Sequence, residues 1–131
     1  MLAMKKLLVL AATVFVSATA AAETVTTVDV VRVIDGQIEE TLYYYENNWT
    51  AHRVKARAAG AISGYRLLID RETGDDVVLL LMTEYADPAQ YEKREDNFAP
   101  IIEAAGGRKL LNDTPPGEFR EITDSWTLRS P

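Results

Sequence analysis

The stretch Val77-Val78-Leu79-Leu80-Leu81-Met82 is apolar at every position, and Thr83-Glu84-Tyr85 extends it as far as Ala86-Asp87-Pro88. A strand sends alternate side chains to opposite faces, so an unbroken apolar run reads as a strand covered on both. Such a strand belongs at the centre of a sheet. Asp87 is suited to accept hydrogen bonds from the free amides of a first helical turn, and Pro88 suits the position after it. A helix is therefore expected to begin there, with Tyr91, Phe98, Ile102 and Ala105 as its apolar face. Pro100 lacks an amide hydrogen and costs about 3 kcal/mol inside a regular helix. A kink or restart is expected near Asp96-Asn97, and Gly106-Gly107 ends the segment.

Before the central strand, the polar run Arg71 to Asp76 holds Gly74 and reads as a hairpin loop. Tyr65, Leu67 and Ile69 alternate with Arg66 and Leu68 in a second strand. Further back, Ile38, Leu42, Tyr45, Trp49, His52, Ala56 and Ala59 recur at steps of four and three. That spacing is one stripe on a long helix. Acids cluster near its start (Glu39, Glu40, Glu46) and bases near its end (Arg53, Lys55, Arg57), which suits the helix dipole. Gly60 stops it. Thr24–Ile34 is a first strand with valines on both faces, and the turn pair Asp35-Gly36 ends it. After the second helix, residues 112–117 read as a loop. Phe119–Leu128 is the last strand, with a bulge expected near Asp124-Ser125. The element order is βαββαβ, with no internal repeat.

The first 22 residues have a different character. Lys5 and Lys6 precede the apolar run Leu7–Val16, and small residues fill positions 17–22. This is the charge, apolar core and small-residue order of a signal peptide, with cleavage before Glu23, or after Ala20 as the alternative. A spanning helix needs about 20 apolar residues, and this run is shorter. Cleavage leaves residues 23–131 as a single domain with 12 basic and 20 acidic residues, a net charge of −8. The expected location is periplasmic or secreted. The acidity argues against nucleic acid and anionic lipid as partners, so no membrane association is expected after cleavage. With no Cys in the chain, no disulfide stabilises the domain.

Two βαβ halves with antiparallel central strands make the α+β, ferredoxin-like arrangement: a four-stranded antiparallel sheet with both helices on one face. The other face would then expose half of the valines of the first strand and half of Val77–Met82. An apolar face of that extent is uncommon on a monomer, and a second copy related by a two-fold axis is the simplest cover. Trp49-Thr50-Ala51-His52-Arg53, Gly64-Tyr65-Arg66-Leu67-Leu68 and Tyr85-Ala86-Asp87 make nearly all of Thr24–Arg129 resemble the dimeric α/β-barrel superfamily. Within it, the chain resembles the antibiotic-biosynthesis monooxygenase-like domains and their small exported bacterial members. The resemblance implies a homodimer with a ligand cavity between sheet and helices in each subunit.

His52 is the only His. Its place on the helical stripe with Tyr45 and Trp49 makes an aromatic pocket with one group that titrates near neutral pH. Tyr65 would form the facing wall. The plainer alternative is that this stripe is helix-to-sheet core. Two roles are open for the pocket: binding of a small apolar or aromatic molecule, or cofactor-independent monooxygenase-like catalysis with His52 as general base. A third alternative is a structural or interaction module with no pocket. Arg66, unusual inside an apolar strand, and Arg53 are candidates to meet an anion, the alternative being a salt bridge (Arg66 with Glu84) or exposure. One His and no Cys make an ordinary zinc site unattainable, and no Gly-rich phosphate loop is present. No cofactor is expected. Some relatives of this fold degrade haem using an Asn on the first strand and a Trp and a His on the second helix; none of the three occurs at those places here.

Overall fold

A computed structural model describes residues 11–14 and 23–131. The expected signal peptide and its cleavage point lie almost entirely outside the described residues. No described helix is long and apolar enough to cross a membrane.

The described chain runs β1 (Val25–Val33), α1 (Ile38–Tyr44), a π-helical turn (Tyr45–Thr50), α2 (Ala51–Ala58), β2 (Gly64–Asp70) and β3 (Val78–Tyr85). It continues through α3 (Pro88–Glu92), α4 (Arg94–Ala104), a 3-10 turn (Leu111–Asp113), α5 (Pro116–Phe119) and β4 (Arg120–Arg129). The four strands form one sheet in the order β2-β3-β1-β4, with every neighbouring pair antiparallel. This is the expected ferredoxin-like sheet, and the all-apolar strand β3 is central. Asp87 caps α3 as its sequence indicates, its carboxylate accepting from the Gln90 amide at 2.7 Å.

Odd-numbered positions of β1 and β3 face the helices. Val25 and Tyr85 lie in one buried cluster with Ala56, Ile62 and Phe98; Val31, Val33, Leu79 and Leu81 lie in another with Tyr45. Pairing places Val28 opposite Met82, and Thr26 opposite Leu128, on the other face. Among the described residues no helix covers that face, and Leu68 and Leu128 stand there 36% and 50% exposed.

Three expectations need correction. The first helix is not regular: the π-helical turn at Tyr45–Thr50 interrupts it. A π turn holds more residues than an α turn, so the inward line changes phase there. Inward positions run Thr41, Tyr45, Asn48 and Ala56, all buried. The second helix breaks at Lys93 (φ −84°, ψ 4°), not at Asp96-Asn97. Pro100 sits inside α4, which restarts in a new phase after that joint. Phe98 and Ile101 therefore pack on the core, and Ile102 is left 49% exposed. The last two residues of the expected loop at 112–117 open α5, because Pro116 suits a first helical position. Phe119 closes that helix, fully buried, and β4 starts at Arg120. The bulge in β4 falls at Thr123, near Asp124-Ser125 as expected, since Val30 is opposite Asp124 and Val31 opposite Ile122.

Candidate functional site

The phase change in the first helix decides which side chains meet the sheet. Tyr45 is core: its ring is 4% exposed, and its hydroxyl accepts from Arg120 Nε at 2.8 Å. Burial pushes its pKa up, and the Arg120 charge partly offsets that. Tyr44 packs edge-on to it at 5.0 Å and lies 5.3 Å from Phe119. Asn48, buried in the π turn, donates to the carbonyls of Tyr44 (2.7 Å) and Lys109 (2.8 Å) and accepts from the Lys109 amide at 2.8 Å. It thereby ties the chain after α4 back to the first helix.

Trp49 and Tyr65 meet across helix and sheet, ring centres 6.0 Å apart and nearly perpendicular. The next inward position is Arg53. Its guanidinium carbon is 4.5 Å from the Trp49 ring centre and 4.6 Å from that of Phe98, so two aromatic faces hold the cation. Arg53 Nε donates to the buried hydroxyl of Thr83 at 3.2 Å. Burial pulls the Arg53 pKa down to about 10, against weaker support from Tyr85 and Asp29. No ion pair among the described residues includes it.

A cleft of about 570 Å³ opens beside Arg53. Its floor is Thr27 and Asp29 of β1 with Ser125, Trp126 and Thr127 of β4. Its other wall is Tyr91 and the α4 residues Arg94, Glu95, Phe98, Ala99 and Ile102. Tyr85 of β3 completes it. Two acids and two bases border the space. Asp29 accepts from the Ser125 hydroxyl at 2.7 Å. Arg94 lies 4.0 Å over the Tyr91 ring and donates to the Tyr91 carbonyl at 3.1 Å.

The residues singled out in the sequence are thus divided. Trp49 and Tyr65 are together, Tyr45 is packed with Arg120, and none of the three borders this cleft. His52 is half-buried on the flank of α2 and does not border it either. Burial, and then the positive charges of Arg53, Lys55 and Lys109, lower its pKa, which favours the neutral imidazole. Arg66 is exposed on the uncovered sheet face, beside a smaller cleft of about 300 Å³ shared with Tyr65, Met82 and Glu84. It makes no salt bridge with Glu84, whose carboxylate instead accepts from Ser63 Oγ at 2.8 Å. Among the described residues no group of His, Asp or Glu side chains is arranged to hold a metal ion. Arg94, Glu95 and Ala99 were missing from the sequence reading. Their signal was there, since Tyr91, Arg94, Phe98 and Ile102 recur at helical spacing, but Phe98 and Ile102 read as core alone.

Sheet order, helix placement and the cleft together define an α+β domain of the ferredoxin-like class. No family model matches the chain, and no curated protein matches it. Among solved structures, it is similar to a dimeric protein of unknown function and ferredoxin-like fold from Bacteroides fragilis NCTC 9343. The identity is 15%, 82% of this chain and 94% of that one are covered, and the TM-score is 0.51. A dimeric ferredoxin-like protein from an uncultured marine organism is similar at 12% identity over 81% of this chain and 85% of that one, with a TM-score of 0.40.

Proposed function

We propose that this protein is an exported homodimer, each subunit of which holds a small, largely aromatic molecule in the cleft between β1, β4 and α4. The cleft itself carries this reading: about 570 Å³ is within the range of small-molecule sites, as is its mix of aromatic walls with a few polar groups. Tyr85, Tyr91 and Phe98 offer ring faces and edges, and Thr27, Ser125 and Thr127 offer short polar groups. The second copy is supported by the uncovered sheet face and by the dimeric state of the similar Bacteroides fragilis protein. Export is supported by the basic, apolar and small-residue order of residues 5–22, which makes a periplasmic or secreted location the natural one.

Binding is preferred to a monooxygenase-like reaction of the kind the superfamily resemblance implies. A general base must reach its proton directly or through one water, and His52 stands away from the cleft. The test is saturation-transfer NMR with naphthalenemethanol, a neutral aromatic probe, on the mature chain. Binding is expected in the wild type, with loss in Ala99→Trp, which puts a large ring into the space. Absence of wild-type binding across a panel of neutral and charged naphthalenes, or binding undiminished by Ala99→Trp, overturns the assignment to this cleft.

A further inference from the structure

We propose that the ligand of this cleft carries a carboxylate and that Arg53 receives it. The inference rests on the reading of the cleft as a binding site and adds the chemistry of what enters. Arg53 has five N–H donors in a planar fork. Among the described residues its side chain makes one hydrogen bond, from Nε to Thr83 at 3.2 Å. The described side-chain atoms that are sealed and unpartnered are Glu40 Oε2 and Thr50 Oγ1. The Arg53 Nη atoms are not in that group, so they open to space, and Arg53 borders the cleft. Trp49 and Phe98 grip the guanidinium from two sides. That fixes its plane, which is the geometry a bidentate carboxylate needs.

Asp29 and Glu95 border the same space, so formal charge does not decide the sign of the ligand. Hydration does. Glu95 is exposed, and Asp29 already accepts from Ser125; each carboxylate has its charge answered. Arg53 has given up much of its water for two ring faces and one hydroxyl, and Asp29, though near enough to support its charge, makes no ion pair with it. A cation whose desolvation cost was met on folding gains most from an incoming anion. Arg94 stands at the α4 wall as a second positive charge.

The experiment compares three probes of one shape on the mature dimer by calorimetric titration: naphthoate, naphthalenemethanol and naphthalenemethylamine. Naphthoate is expected to bind at least about tenfold tighter than the alcohol, as for a hydrogen bond to a charged partner, and the amine weakest. Arg53→Met keeps a flexible stem between the rings and is expected to erase the preference, read as the ratio of acid to alcohol affinity in the variant itself. Should that variant not fold, Arg53→Lys keeps the charge without the fork, and its preference is expected to shrink. Equal binding of acid and alcohol, or a preference that survives removal of the guanidinium, overturns the carboxylate proposal and leaves the cleft reading intact. Tighter binding of the amine overturns it too and hands the site to Asp29. If no probe binds, the cleft reading and the proposal built on it fall together.

Discussion

Replacing Asn48 with Ala tests how the α4 side of the cleft is held in place. Asn48 is 8% exposed and makes three hydrogen bonds, two of them to the backbone of Lys109. The bonds to Lys109 cross between segments 61 residues apart in sequence. A net contribution of about 1 kcal/mol each is usual for such bonds, and more where a buried group is left unpaired. Lys109 itself is exposed, so water recovers part of what its amide and carbonyl lose. The expected destabilisation is therefore about 2–3 kcal/mol, which for a domain of this size lowers the melting temperature by roughly 10 °C. Asn47 is the internal control. It lies beside Asn48 and makes one bond, to the Tyr43 carbonyl of its own helix at 2.8 Å. Asn47→Ala should cost less than about 1 kcal/mol. Thermal unfolding followed by far-ultraviolet circular dichroism measures both, and hydrogen exchange at the Lys109 amide reports the anchor directly. If the two alanine variants melt within about 3 °C of each other, the anchoring role of Asn48 is wrong.

Other expectations follow from the same geometry. The double variant Leu68→Glu, Leu128→Glu places like charges on the uncovered face at side chains already 36% and 50% exposed, so the subunit should still fold. Light scattering should find it monomeric at concentrations where the parent is a dimer, an affinity loss of about a hundredfold or more from charges buried at an interface. A variant that stays dimeric would place the interface elsewhere. The lowered pKa of His52 gives a pH dependence of definite sign. The unfolded chain takes up its proton near the ordinary value of 6.5, before the folded chain does. This contribution to stability is therefore complete above that pH and is lost as pH falls below it toward the lower folded value. His52→Gln should flatten the stability profile between about pH 7 and pH 5, and an unchanged slope would mean that folding does not perturb this imidazole.

Much of the fold is legible because its signals are local. The apolar run at β3, the cap at Asp87-Pro88 and the turn at Asp35-Gly36, where Gly36 has φ 76°, each act within a few residues. Together they leave one economical topology. The site is less legible because it depends on phase. A single π turn and a single joint at Lys93 decide which of two neighbours points inward: Arg53 or His52, Ile101 or Ile102. Neither irregularity changes composition or hydrophobic content. The one hint is the pair Asn47-Asn48 in mid-helix, where a side chain that hydrogen-bonds backbone competes with the helix ladder. Asn48 does so, toward both its own helix and Lys109. The Lys93 joint has no comparable residue signal.

The proposed interface and cleft lie on opposite faces of the same two strands. In β1, Thr27 and Asp29 border the cleft, whereas Val28 lies with Met82 on the uncovered face. In the proposed assembly each site answers its own deficit: a second copy would cover apolar surface, and an anion would answer a cation that no ion pair neutralises. Coupling between them would have to pass through β4, the edge strand, which is exposed along nearly its whole length. Yet β4 is paired to β1 from Val25–Arg129 to Val33–Arg120, with one bulge. A ladder that long holds the strand without help from a partner subunit. The monomeric double variant should therefore bind naphthoate within about threefold of the parent, since linkage permits a change only where the two events share free energy. A loss of about tenfold or more would show that β4 in a lone subunit is not held as the ladder implies, and that the cleft's floor is made by dimerisation.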